Sequence, residues 1–179
     1  TTSAENWSME ELSSVSIDDE KAGETIVDYL IEHGHTKIAE IGANLELSQT
    51  AILRHNGYLN SLKKHGITPD ERYYERARFS YDSAYRAMKK LLEKDIEITA
   101  VYAISDVMAI GALRAILDKG LRVPEDISIT GFDGSTLAEY YNPKIVSIRQ
   151  PHKDMAARSV ELRFNMIDLH KGSCHEIIP

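Results

Sequence analysis

The chain has 179 residues, 42% hydrophobic and 27% charged, with 21 Lys and Arg against 28 Asp and Glu and a formal net charge of -7. That length holds one ordinary domain, or one and a part, with a real core, and the composition excludes a disordered chain or a fibre. No apolar stretch approaches the roughly 20 residues needed to span a bilayer, and a single cysteine, Cys174, excludes an internal disulfide framework and fits a reducing cytoplasm.

The first 20 residues carry six carboxylates and no Lys or Arg, so the chain lacks the basic stripe of a DNA reader. It opens on Thr1-Thr2-Ser3, without an initiator methionine or a charged-then-apolar leader, and is expected to be a fragment. From Asp18 onward helical and strand patterns alternate. Ala22, Ile26, Val27, Leu30 and Ile31 recur at helical spacing and stop at His33-Gly34. Ile38–Gly42 is a short strand. Ile52, Leu59 and Leu62 mark a second helix that ends near Lys63-Lys64-His65-Gly66. Tyr73-Tyr74 reads as a weak strand, and Ala84, Met88, Leu91 and Leu92 define a third helix with Ser80 as its N-cap.

Ala100–Ile104 is almost continuously apolar, the pattern of a strand covered on both faces. Ser105 caps the next helix, whose inner stripe is Met108, Ile110, Leu113, Ile116 and Leu117 and whose stop is Gly120. A Val123-Pro124 turn, a strand Ile127–Phe132, a loop, a strand Ile145–Ile148 and a helix from Met155 toward Gly172 follow. Strands separated by helices give βαβ units, hence an α/β fold with a parallel sheet in three layers. Ligands of such sheets lie beyond the carboxyl ends of the strands.

That rim is rich in polar groups. It collects Ser48, Thr50 and Arg54 after the first strand, Phe79 after the second, and Ser105-Asp106 after Ile104. Asp133 follows Phe132, and Arg149-Gln150 follow Ile148. A carboxylate accepting from vicinal hydroxyls, a forked guanidinium and an aromatic face suit a small neutral polyol. Each residue also has an ordinary structural role open to it: Asp106 as support for a helix start, Arg54 as a surface residue, Phe79 as a core plug, Asp133 as a turn aspartate.

Enzyme signatures are mostly missing. There is no G-x-G-x-x-G after a strand and no G-x-S-x-G elbow. The seven histidines form no metal or base pattern, and His170, Cys174 and His175 lie in a tail. Asp106 and Asp133 at neighbouring strand ends leave a magnesium-dependent phosphoryl-transfer site as a distant alternative. No cofactor and no metal ligand set is called for.

Seven segments occur in order: Val15-Ser16-Ile17-Asp18, Gly34-His35-x-x-Ile38, Arg54-x-x-Gly57-Tyr58, Ser105-Asp106-x-Met108-Ala109-x-Gly111-Ala112-Leu113, Gly120-Leu121-Arg122-Val123-Pro124-Glu125-Asp126-Ile127-Ser128, Gly131-Phe132-Asp133 and Ile148-Arg149-Gln150-Pro151. Together they resemble the effector-binding domain of the lactose-repressor/galactose-repressor (LacI/GalR) family of bacterial transcription regulators, itself similar to periplasmic sugar-binding proteins. The resemblance implies a type I periplasmic-binding-protein-like fold of two lobes, truncated here at both ends. Residues 1–17 are the lead-in, 18–148 the second lobe, and 149–179 the hinge return with a partial first-lobe helix; the family's C-terminal strand is expected to be cut off at Pro179.

It also implies a site without catalysis. Arg54, Phe79, Asp133 and Gln150 match the family's ligand-contacting arginine, ring-covering aromatic, hydroxyl-accepting carboxylate and hinge amide. Asp18, Ser48 and Thr50 add polar contacts; Ser105 stands where many members have asparagine, and Gly134 replaces a common second aspartate. The implied partners are a small-molecule effector, most simply a sugar or derivative, a second copy of the chain, and operator DNA through a helix-turn-helix absent from this chain. A cytoplasmic setting and no membrane are implied too. Ile110, Leu113, Leu117, Leu137, Tyr140 and Tyr141 are candidates for the dimer surface. The alternative is a periplasmic sugar-binding protein of a transport system.

Overall fold

The computed structural model describes residues 13–45, 48–169 and 174–178. The chain divides into two compact units, one formed by Asp19–Gln150 and one drawn from Thr1–Asp18 and Pro151–Pro179. The larger is a five-stranded sheet with helices on both faces. Its elements are α1 (Asp19–Glu32), β2 (Ile38–Gly42), α2 (Gln49–Lys64), β3 (Tyr74–Arg76), α3 (Tyr81–Glu93), β4 (Ala100–Ala103), α4 (Asp106–Asp118), β5 (Ser128–Asp133), α5 (Thr136–Tyr140) and β6 (Val146–Arg149). The strand order is β3-β2-β4-β5-β6, and every pairing is parallel.

The layers follow from the period-2 alternation of strand side chains. Phe132 meets Arg54 of α2, whereas a side chain at the preceding Gly131 would meet Ala109 of α4. Neighbouring residues of one strand face opposite ways, so α1 and α2 cover one face and α3 and α4 the other. Burial on both sides explains the unbroken apolar run of β4, all four residues of which are buried. Each large aliphatic side chain enclosed here, such as Leu30, Ile41, Leu91 or Leu113, contributes about 1.5–3 kcal/mol through burial.

The helices meet the sequence expectations at their ends. Gly34, Gly66 and Gly120 take positive φ just beyond α1, α2 and α4, where the carbonyls of the last turn are closed by a left-handed residue. Inside α2, Gly57 has a different purpose: a Cβ there would lie 2.6 Å from the Glu24 amide nitrogen of α1, so the helices approach this closely only with glycine. Ser80 does precede α3, but its hydroxyl makes no capping bond; the Ser83 hydroxyl accepts from the Arg78 amide instead, at 2.9 Å.

The smaller unit departs from the sequence reading. β1 (Ser14–Ile17) pairs in parallel with β7 (His175–Ile178), so residues read as a tail form a strand. The Ser14 hydroxyl lies 2.8 Å from His175 Nδ1, which ties that histidine to the pairing. The helix α6 (His152–Leu169) packs on β1, and Arg158 joins it to β7 through a 2.8 Å ion pair with Glu176. The expected Gly172 stop lies outside the described residues.

Candidate functional site

The order in which strands are added reverses at β2, since β3 lies on one side of it and β4 on the other. The carboxyl ends of β2 and β4 flank the crevice where doubly wound sheets bind ligands. Arg54 reaches it from the second turn of α2. Its Nη1 donates to the Ile104 carbonyl, just past β4, at 2.6 Å, and its Nε donates to Asp19 Oδ1 at 2.7 Å. The guanidinium carbon lies over Phe132, 3.6 Å from the ring centroid, a cation–π contact. Arg54 is only 5% exposed; the surface role left open by its polar neighbours does not apply.

Asp133 and Gln150 complete the group. Asp133 Oδ1 lies 3.6 Å from Arg54 Nη1 and accepts from Gln150 Nε2 at 2.6 Å. Gln150 also donates its backbone N–H to the Asp133 carbonyl. Burial pushes the Asp133 carboxyl above the ordinary aspartate range, while the Arg54 charge and the Gln150 bond pull it back. Its φ of 117° is the one positive value at a non-glycine residue among those described, a strained conformation of the kind held at functional positions.

Other expected residues are placed less centrally. Phe79 stands between β3 and α3 on the same carboxyl edge, 46% exposed, and fills no core. Ser48 N-caps α2 by accepting from the Ala51 amide at 3.2 Å, with Thr50 half-buried two residues on. Ser105 is buried and N-caps α4, accepting from the Met108 amide at 3.4 Å. Asp18 is exposed and belongs to the smaller unit.

Two features escape sequence reading. Asp19, buried beneath Arg54, is as close a partner of the guanidinium as any residue of the rim; the Asp18-Asp19 doublet was the only signal for it. Asp106, 2% exposed, accepts from the Ser135 amide at 2.6 Å and the Ser147 hydroxyl at 2.5 Å. It thereby fastens the segments after β5 and within β6, a larger role than support of a helix start. So engaged, both carboxylate oxygens of Asp106 serve the fold.

Residues 27–179 match the periplasmic binding protein-like domain family. The chain belongs to this family. Within it, the chain is an effector-binding domain of the LacI/GalR type. The HTH-type transcriptional regulator MalR of Clostridium butyricum is 40% identical over 166 residues, which cover 93% of this chain and 49% of that protein. The HTH-type transcriptional repressor PurR of Pasteurella multocida is 39% identical over 140 residues, covering 78% and 42%. A solved complex of the transcriptional regulator CelR with cellobiose superposes with a TM-score of 0.89 at 33% identity, covering 97% of this chain and 53% of that one. The chain thus spans about half the length of the curated relatives it matches. Those relatives are regulators rather than enzymes or transport proteins, which decides against the periplasmic alternative. No helix among the described residues is long and apolar enough to cross a membrane.

Proposed function

We propose that the chain is the ligand-sensing part of a cytoplasmic bacterial transcription regulator, with a sugar or sugar derivative as effector. The observation that carries this reading is the meeting of Arg54, Asp133 and Gln150 beyond the carboxyl ends of β4, β5 and β6, with Asp133 hydrogen-bonded to Gln150 and 3.6 Å from the Arg54 guanidinium. A fixed guanidinium fork and a carboxylate side by side offer donors and acceptors to neighbouring hydroxyls, and exposed Phe79 offers an apolar face to a ring. Asp18, Ser48, Thr50 and Ser105 belong to the same proposal as flanking contacts, Ser48 and Ser105 chiefly by fixing the helices that carry the rim. The relative solved with cellobiose lends the sugar class weight.

Regulation follows if the effector favours one of two conformations of the sensing domain, whose second lobe is residues 18–148; a ligand indifferent to them would switch nothing. A homodimer carries the change to operator DNA, read by a helix-turn-helix outside these 179 residues. The test is a thermal-shift screen of the intact protein against sugars, sugar derivatives and nucleosides, followed by calorimetry. A specific binder raises the melting temperature, and Asp133→Asn weakens it by about tenfold or more, as expected for loss of a charged hydrogen bond. Unchanged affinity in that variant refutes the assigned rim.

A further inference from the structure

The rim holds an arginine, the side chain that most often grips phosphates and carboxylates, yet its charge is already answered. Asp19 Oδ1 stands 2.7 Å from Nε and Asp133 Oδ1 3.6 Å from Nη1, with Asp19 buried. Two carboxylates thus face one guanidinium in a poorly solvated setting, where charge interactions are strong.

The other anion-binding device of α/β sheets, the free helix N-terminus, is either capped by a serine or faced by a first-turn carboxylate at α2, α3 and α4. Ser48 caps α2 and Ser105 caps α4. The first turn of α4 contains Asp106, and that of α3 contains Asp82. The remaining cations at the carboxyl edge are Arg76, Arg78 and Arg149. All three are exposed, and Arg149 is paired with Glu139, so their pull on an anion is screened by salt.

Resting on the effector rim proposed above, we infer that Asp19 sets its charge selectivity: by neutralising Arg54 it restricts the effector to uncharged molecules and turns phosphorylated sugars and other anions away. Asp19 is a positioning residue in this role. It acts through Arg54, holding the fork in place while cancelling its charge. Asp133 completes the exclusion from the opposite side.

The probe is inorganic phosphate, with glucose 6-phosphate beside glucose, titrated into the intact wild-type protein, Asp19→Asn and Asp19→Glu and followed by thermal shift and calorimetry. Wild type and Asp19→Glu show no saturable response to either anion. Asp19→Asn keeps an oxygen for Arg54 Nε but loses the charge, and gains phosphate affinity by about tenfold or more. A gain of binding is not produced by mere loss of structure. Should Asp19→Asn fail to fold without phosphate, its rescue by phosphate is the same result; if phosphate does not rescue it, Asp133→Asn, on the half-exposed carboxylate, must show the gain. Saturable phosphate binding by wild type, or no gain in a folded Asp19→Asn, overturns the inference. Silence of every neutral sugar alongside the gain in Asp19→Asn leaves charge selectivity standing and overturns the sugar reading instead.

Discussion

Arg54 and Asp133 are neighbours in the site but differ in what they do for the fold. Arg54 is buried against buried Asp19, and deleting one member of such a pair strands the other. Arg54→Ala is therefore expected to cost about 3–5 kcal/mol of stability, measurable by urea unfolding, and its loss of effector binding reports folding and recognition together. Asp133 is the cleaner probe. Its carboxylate is half-exposed, and its backbone sits at a φ of 117° that glycine adopts without strain. Asp133→Gly is expected to hold or raise stability, by up to about 1 kcal/mol, while abolishing the effector response. A destabilised Asp133→Gly protein would show that its side-chain bonds outweigh the strain. Proximity of Arg54, Asp133 and Gln150 was legible because each follows or flanks a strand end. The burial of Arg54 was not, because its partner lies 35 residues away and local polarity points the wrong way.

At the scale of elements, the sheet and its four long helices were readable from periodicity because each buries a whole face or stripe. The missed pieces are short: α5 has five residues and rests on the Ser135 cap, while β1 and β7 have four each and exist through a pairing some 160 residues apart. A tertiary partner of another kind sits under α2. Glu40 of β2 is fully buried, and its Oε2 lies 2.6 Å from His55 Nδ1; Oε1 is without a hydrogen-bond partner among the described residues. Tyr58, Tyr74 and Tyr102 line the same pocket, with Arg76 contributing charge. Burial alone would lower the His55 value, but the Glu40 bond and charge more than offset it, so the imidazolium is held above the ordinary 6.5; burial also raises Glu40. Both raised values act in one direction. Their stabilising contribution is present below the unfolded values and fades as pH rises through the folded ones. Between pH 6.5 and the alkaline side, wild type should therefore lose stability with a slope of up to about 1.4 kcal/mol per pH unit. Urea unfolding at several pH values checks this, and an equal slope in His55→Gln would assign it elsewhere.

Across the molecule, the apolar residues suggested for self-association separate into two groups. Ile110 and Leu113 are core and contact no solvent to speak of; a helix stripe that fills its own interior has nothing left for a partner. Leu117 at the end of α4 and Leu137 and Tyr140 on α5 remain outside, Leu137 at 56% and Tyr140 at 82% exposure, with half-buried Tyr141 just past α5. Ala138 is the buried residue of α5, so the short helix lies with its small side chain inward and its large ones outward. That arrangement leaves an apolar patch of the kind that marks association surfaces. In a homodimer with two-fold symmetry the patch meets its own copy, and a charge placed on it is repeated across the axis. The double variant Leu137→Glu, Tyr140→Glu should therefore convert a dimer to a monomer at micromolar concentration in sedimentation equilibrium, with its circular dichroism spectrum kept because both side chains are exposed. Retention of the dimer by this variant would move the interface off α5, and a monomeric wild type would remove the dimer from the proposed mechanism.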